Sequence, residues 1–284
     1  MNGSLSKIPL IKKIYRFLFR LRLEKKRNLC FFRTLWFNIR FLPWKQARHL
    51  PIFIHGRLTI ARGDGNIRLD VPTTNLHTGI IRLGYDYDRF SINYAGTLLQ
   101  LYGTICWKGP FRSSVNVVIG SSQPRAIVKF GRYVNVGANS TIRAYRSIIV
   151  EDNVSITHDC SIYDTDFHPF RNVLTGLISQ YTFPVQIGCG SFIGFGTQIT
   201  KGTILPPYSL VASCSFLNRD YSQEGMEAPF IAGTPGQVKS HGIVRISEKD
   251  LEITAMEHFM NTDSPLMAHK GMPCDYSGRA GAFI

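Results

Sequence analysis

The chain has 284 residues, 44% of them hydrophobic, with 33 Lys and Arg against 19 Asp and Glu and a net charge of +14. That length can bury a sizeable core as one elongated domain or two small ones, and no run of about eighteen apolar residues is free of charge, which excludes a transmembrane helix. Six cysteines (Cys30, Cys106, Cys160, Cys189, Cys214, Cys274) form no CxxC pair and no metal-ligand spacing, and read as free thiols in a reducing cytoplasm.

The charge is unevenly placed. Residues 1–50 hold 13 Lys and Arg and one acidic residue, Glu24, whereas the other 234 residues hold 20 basic and 18 acidic side chains. The pattern predicts a helix to about Arg27, with Lys12, Lys13, Arg16 and Arg20 on one face and Ile8, Ile11, Ile14, Tyr15, Leu18 and Leu21 on the other. A basic amphipathic face of this kind suits an anionic membrane surface, reached peripherally through residues 1–30. The alternative is a helix packed on the rest of the protein with a solvated charged face. Basic residues interrupt every candidate signal-peptide core, and a nucleic-acid arm would need stacking motifs that are absent. Phe31, Phe32, Trp36, Phe37 and Trp44 are expected to dock this segment, which ends near residue 50.

Residues 51–118 contain short β-rich stretches with a degenerate repeat, read as irregular first coils or a small cap. From 119 to 246 a beat of six takes over. Aliphatic or aromatic anchors fall at Phe130, Val136 and Ile142, slip by two residues, and resume at Val150, Ile156 and Ile162; a second run is Ile187, Ile193, Ile199, Leu205 and Val211. Four residues past each anchor of the second run stands a small hydroxyl residue: Ser191, Thr197, Thr203, Ser209 and Ser215. A period of six matches neither a helix nor an ordinary strand, but it fits a chain that runs one short strand, turns a corner and repeats, three strands to a coil. The fold class predicted is therefore all-β, a parallel β-helix, against a generic β-sandwich as the alternative. Glycines after the anchors (Gly131, Gly137, Gly188, Gly194) are expected to supply unusual corner dihedrals. Residues 247–284 are read as a short helix over about 248–260, opened by Ser247 with Asp250, and a flexible tail.

One segment breaks the beat: C-S-I-Y-D-T-D-F-H-P-F-R (Cys160–Arg171), the start of an excursion over 163–184. A histidine flanked by carboxylates and ejected from a rigid repeat has the makings of an active site. A neutral imidazole takes a hydroxyl proton near operating pH, and a carboxylate can fix its tautomer. His168 is the candidate base, with Asp164 and Asp166 as alternatives for orienting it. His158 is the rival base, expected to point outward and, with Asp159, to line an acceptor cleft. Lys201 falls in a corner and is expected to face solvent.

The stretch P-V-Q-I-G-C-G-S-F-I-G-F-G-T-Q-I-T-K-G-T-I (Pro184–Ile204), followed by I-A-G-T-P-G (Ile231–Gly236), resembles the hexapeptide-repeat acyltransferases. The likeness is to the galactoside and maltose acetyltransferase branch and to O-acetyltransferases of bacterial surface polysaccharides, and covers about residues 119–240. The D-F-H-P of Asp166–Pro169 sits where that family carries its loop histidine and proline, and F-N-I-R-F-L-P-W-K-Q-A (Phe37–Ala47) is similar to the polysaccharide-modifying members. The chain departs from the family pattern at Phe192, where Trp is usual, at Leu205-Pro206 and at Ala212-Ser213.

The resemblance implies left-handed coils, a homotrimer with the active site between neighbouring β-helices, and acetyl-CoA as co-substrate without a metal. It implies coenzyme contacts at Gly194, Phe195, Ser213, Asn218 and Arg219, with Lys239 near the exit. An oxyanion-stabilising N–H is expected near Gly194 or Phe195. The activity it implies is acetyl transfer to a sugar hydroxyl of a surface polysaccharide or its lipid-linked precursor, in the cytoplasm or peripherally on the inner face of the membrane. The alternatives are an amino-sugar N-acetyltransferase, a non-catalytic β-helix scaffold and a membrane-surface binding module.

Overall fold

The computed structural model describes residues 28–86, 96–224, 228–246, 249–262, 264 and 266–267. The predicted helix up to Arg27, Cys274, Ser247 and most of the tail past Pro265 lie outside the described residues. Two helices open the described chain, α1 (Phe31–Phe41) and α2 (Trp44–Ala47), and one follows the strands, α3 (Lys249–Asn261). No helix among the described residues is long and apolar enough to cross a membrane.

Between them the chain winds a left-handed parallel β-helix of seven coils. Coil one is β1 (Ile52–Ile54), β2 (Leu58–Arg62) and β3 (Asn66–Leu69); coil two is β4 (Ile81–Leu83), β5 (Thr97–Leu101) and β6 (Thr104–Trp107). Coil three is β7 (Phe111–Ser113), β8 (Val118–Ser121) and β9 (Ile127–Phe130); coil four is β10 (Val134–Val136), β11 (Thr141–Ala144) and β12 (Ser147–Val150). Coil five is β13 (Ser155–Ile156), β14 (Ser161–Tyr163) and β15 (Val185–Ile187). Coil six is β16 (Phe192–Ile193), β17 (Gln198–Ile199) and β18 (Ile204–Leu205), and coil seven closes with β19 (Leu210–Val211) and β20 (Phe216–Leu217).

Strands stack into three sheets. Sheet I runs β1-β4-β7-β10-β13-β16-β19 and ends on a hairpin, β21 (Pro229–Ala232) with β22 (Gln237–His241); sheet II runs from β2 to β20 and sheet III from β3 to β18. Residues 51–107, where the repeat is hard to see in sequence, form the first two coils in these same sheets.

The six-residue anchors become columns. Ile156, Ile193 and Val211 stack in sheet I, Ile142, Ile162, Ile199 and Leu217 in sheet II, and Val150, Ile187 and Leu205 in sheet III, all buried. Each such side chain contributes about 1.5–3 kcal/mol of burial, and no coil could bury its own without a neighbour. Coils two and three add a ring cluster, with Trp107 stacked on Phe130 (centroids 6.3 Å) and Phe111 against both.

The hydroxyl positions have a direct explanation. Ser191 donates to the Gly188 carbonyl (2.7 Å), Ser209 to Pro206 (2.7 Å) and Ser215 to Ala212 (2.8 Å), so a small side chain turned into the corner satisfies a carbonyl three residues back.

The glycines act differently from expectation. Gly137, Gly188 and Gly194 lack a positive φ; a Cβ there would lie 2.4–2.6 Å from backbone atoms of the next coil, so they are required for close stacking. The left-handed residue comes three past the anchor: Tyr133, Asn139, Asn153, Asp159, Tyr208 and Cys214 all have φ near 60°, and Gly190, Gly196 and Gly202 take the same position after Ile187, Ile193 and Ile199.

The lower end of the stack is closed by α1. β1 has no strand beneath it, and side chains replace the missing ladder: Asn38 Nδ2 donates to Ile52 O (2.7 Å), Ile52 N–H donates to Asn38 Oδ1 (3.1 Å), and Ile54 N–H to Thr34 Oγ1 (3.0 Å). Gln46 in α2 reaches Leu69 O of sheet III in the same way (2.9 Å). These bonds blunt a sheet edge that would otherwise recruit another strand. Of the five aromatics expected to dock here, only Phe37 is buried; Phe31, Phe32, Trp36 and Trp44 are exposed because Thr34, Asn38 and Phe37 hold the inward face.

Candidate active site

After Tyr163 the chain leaves coil five at the corner between sheets II and III and rejoins it at Val185. Bridges Thr165–Thr182 and Arg171–Ile178 pair the two limbs antiparallel, so the excursion is an arm rather than a slack loop.

Its foot is fixed by Asp164. The buried carboxylate accepts the backbone N–H groups of Tyr145 (2.7 Å), Arg146 (2.7 Å) and Ser147 (2.6 Å). Those amides belong to the corner of coil four where the six-residue beat slips by two. The longer corner turns three donors away from any strand, and Asp164 in the coil above receives them. Burial pushes the Asp164 carboxyl pKa up against the opposing pull of these donors.

The second clamp is Lys201, from the coil above. It pairs with Asp166, donates to the Gln180 carbonyl (2.8 Å) and lies over the Phe183 ring (5.7 Å). Expected to face solvent, Lys201 instead ties both limbs of the arm to the β-helix.

Beyond the foot, Phe167 adopts a φ of 66° and packs edge-on against Tyr145 (5.6 Å) and Tyr163 (5.3 Å). This aims His168 outward, where its ring is exposed and no hydrogen bond ties it to another described residue. Of the two carboxylates considered for orienting it, Asp164 is engaged by three amides and Asp166 by Lys201. Within one chain neither holds the imidazole, and Asp164 is an anchor of the arm.

A second histidine stands on the corner between sheets I and II. His158 Nδ1 lies 2.7 Å from Asp159 Oδ2, and its ring stacks on Phe195 of the coil above (5.0 Å, 27°). Asp159 is itself positioned from below: Asn139 Nδ2 donates to Asp159 Oδ1 (3.0 Å) and Asn116 Nδ2 to Asn139 Oδ1 (3.0 Å). The three Asx residues lie one coil apart, at sequence separations of 23 and 20, each at the left-handed corner position. Sequence reading missed Asn116 and Asn139. The available signal was an Asx residue recurring at one-coil spacing beneath Asp159.

The expected coenzyme contacts divide between these corners. Register places Phe195 above His158 and Ser213 above Phe195, both exposed. Gly194 N–H donates to the Val211 carbonyl (2.9 Å) and is unavailable to an oxyanion, whereas no carbonyl among the described residues accepts the Phe195 N–H. Asn218 and Arg219 are exposed at the II–III corner of coil seven, where the register beyond Ile199–Leu217 sets Lys201 beneath Arg219. The Arg219 guanidinium lies 4.7 Å from the Tyr221 ring centre. Lys239 stands apart on β22 and donates to Gln237 Oε1 (3.2 Å).

The two groups thus flank the outer face of sheet II, which shows Ser161, Gln198 and Phe216 between them. A concavity of about 300 Å³, lined by Lys108, Lys129, Glu151, Asp152 and Cys189, lies at the third corner and contains none of these residues. Among the described residues no cluster of three or more His, Cys, Asp or Glu side chains gathers to hold a metal ion.

Neither a protein-family model nor a curated sequence matches the chain. Solved structures do. The polySia-specific acetyltransferase NeuO superposes with a TM-score of 0.51 over 75% of this chain and 84% of its own, at 13% identity. The polysialic acid O-acetyltransferase OatWY aligns over 80% and 96% at 15% identity with a TM-score of 0.34. AntD, an N-acyltransferase from Bacillus cereus solved with coenzyme A, aligns over 75% and 89% at 13% identity with a TM-score of 0.38. The likeness to NeuO is one of fold, the left-handed parallel β-helix of a hexapeptide-repeat acyltransferase.

Proposed function

We propose that this protein is an acyltransferase that moves an acetyl group from acetyl-CoA to a hydroxyl of a surface polysaccharide or its lipid-linked precursor. The observation that carries the reading is the arm: a long excursion leaves the regular part of the solenoid, is clamped at its foot by Asp164 and Lys201, and holds His168 out to solvent. A scaffold has no use for such a device.

In the reaction His168 takes the proton as the acceptor oxygen attacks the thioester carbonyl. The C–O bond forms, the C–S bond breaks, and the imidazolium returns the proton to the departing thiolate. The Phe195 N–H is the candidate donor to the developing oxyanion. Arg219, with Lys201 beneath it, is the candidate partner of the coenzyme phosphates, as a charge-assisted donor. The residues fit that co-substrate as an incomplete surface: cations at one corner, Phe195 and Ser213 at another. A homotrimer, in which His168 of one copy faces the coils of the next, would complete it.

A second assignment of the base rests on the His158–Asp159 pair, whose 2.7 Å hydrogen bond already fixes a tautomer. On the primary reading these two residues line the acceptor side. An amino-sugar acceptor, giving N-acetylation, is the alternative chemistry for the same arrangement.

Thermal unfolding with acetyl-CoA, free CoA and longer acyl-CoAs tests the reading. Acetyl-CoA should raise the Tm, by about 4 kcal/mol of linkage at a thousandfold excess over Kd; no shift with any of the three would remove the acyl-CoA assignment. Arg219→Ala should raise the KM for acetyl-CoA more than it lowers kcat. An unchanged KM would place the phosphates elsewhere, with Lys239 the next residue to test.

A further inference from the structure

We propose that the outer face of α1, with Trp44, is a lipid-contacting surface that seats the lower end of the β-helix on an anionic bilayer. This goes beyond the amphipathic pattern of residues 1–30, because it assigns the apolar contact to an ordered helix of the folded cap. It does not depend on the acyl-transfer reading.

The helix has two faces. Thr34, Phe37 and Asn38 point into the cap and close the edge of β1. Phe32, Leu35, Trp36 and Ile39 follow the i, i+3, i+4, i+7 spacing on the opposite side and meet no core. Phe32 is 82% exposed, Trp36 and Ile39 53% each, and Trp44 at the start of α2 is 69% exposed. So much aromatic surface cannot be explained as cap packing, because the cap's polar and apolar needs are already met from the inner face.

Charge selects the occupant. Arg33, Arg40, Lys45 and Arg48 are exposed around the stripe, and no acidic residue occurs between Glu24 and Asp64. Residues 1–27, joined directly to α1, carry nine more Lys and Arg and only Glu24 against them. A second copy of this cap would set cation against cation, and covering by residues 1–27 would crowd further cations into the same place. A surface of anionic headgroups over hydrocarbon satisfies both parts. Trp and Phe sit at the headgroup boundary, and Lys and Arg reach the phosphates with their stems in the apolar layer.

The chain contains its own probes. Of its three tryptophans, Trp36 and Trp44 lie on the proposed surface and Trp107 is fully buried in the core. The full-length protein should be mixed with phosphatidylcholine vesicles containing phosphatidylglycerol, with phosphatidylcholine alone as the other arm. With the anionic vesicles the emission should shift to the blue, and brominated lipid should quench it. Salt should weaken the effect, and neutral vesicles should show little of it. Replacing Phe32→Ser and Ile39→Ser together should lower vesicle affinity by about tenfold or more, with Trp107 emission reporting that the fold is intact.

Binding that persists unchanged in the double variant would assign the contact to residues 1–27 alone and overturn the proposal. Shielding of Trp36 and Trp44 from acrylamide without vesicles would do the same, by showing the face already covered. If that shielding grew with protein concentration, the cover would be a second copy. Equal binding to neutral and anionic vesicles would remove the electrostatic basis of the choice.

Discussion

His168→Ala is expected to lower acetyl transfer by about 10²- to 10⁴-fold, the range for loss of a general base, while acetyl-CoA still raises the Tm. The retained shift matters, because it separates a missing proton acceptor from a damaged coenzyme surface. His158→Ala in parallel should mainly raise the acceptor KM and cost about tenfold or less in turnover. The comparison is informative because the two histidines differ in structure. His158 is held by Asp159, which Asn139 and Asn116 steady in turn, while His168 makes no hydrogen bond to another described residue. A large loss in His158→Ala with near-normal turnover in His168→Ala would transfer the base to the Asx ladder. Asn139→Ala should then depress turnover as well, by letting Asp159 drift.

Asp164→Ala should be the most destabilising single change at the site, by about 3 kcal/mol or more, because it strands buried amide donors that cost about 1–3 kcal/mol each when unpaired. Urea denaturation of the variant reads this directly. Asp164→Asn should recover only part of the loss, since an amide has one acceptor oxygen and turns its NH2 toward donors. Activity should fall further than stability alone predicts, as the arm leaves its fixed path and His168 loses its position. A variant as stable as the parent would mean that the coil-four corner finds water or other acceptors. The three hydrogen bonds of 2.6–2.7 Å would then be incidental to the arm.

Much of this architecture is legible from spacing alone. The columns Ile156–Ile193–Val211 and Ile142–Ile162–Ile199 follow from a beat of six, since one period determines which side chains face inward on every coil. The slip of two residues before Val150 is visible too, but its meaning is not: it creates the amide cluster that Asp164 caps, a contact between corners nineteen residues apart. Lys201 was misread for a similar reason. Its partners Asp166 and Gln180 sit on opposite limbs of an arm whose path no repeat specifies. The first two coils were obscured by their longer connections, since eleven residues separate β3 from β4 and thirteen separate β4 from β5, which breaks any beat of six. The glycine positions were found for the wrong reason, since close approach between coils produces the same sequence pattern as a positive φ.

The number of coils beneath the arm acts as a ruler. α1 closes the stack below coil one, and His168 leaves it at coil five. Stacked strands are spaced by about 4.8 Å, so the four steps between those coils raise the arm by about 19 Å, and the cap helix adds about 10 Å more. With α1 seated on a bilayer, the histidine would work about 30 Å above the lipid. Inserting or deleting a coil between coil one and coil four would move that working height by a single strand spacing and leave intact the contacts that the coil-four corner makes with Asp164. The distance from lipid at which an acceptor is modified would therefore be set by a part of the molecule that touches neither substrate.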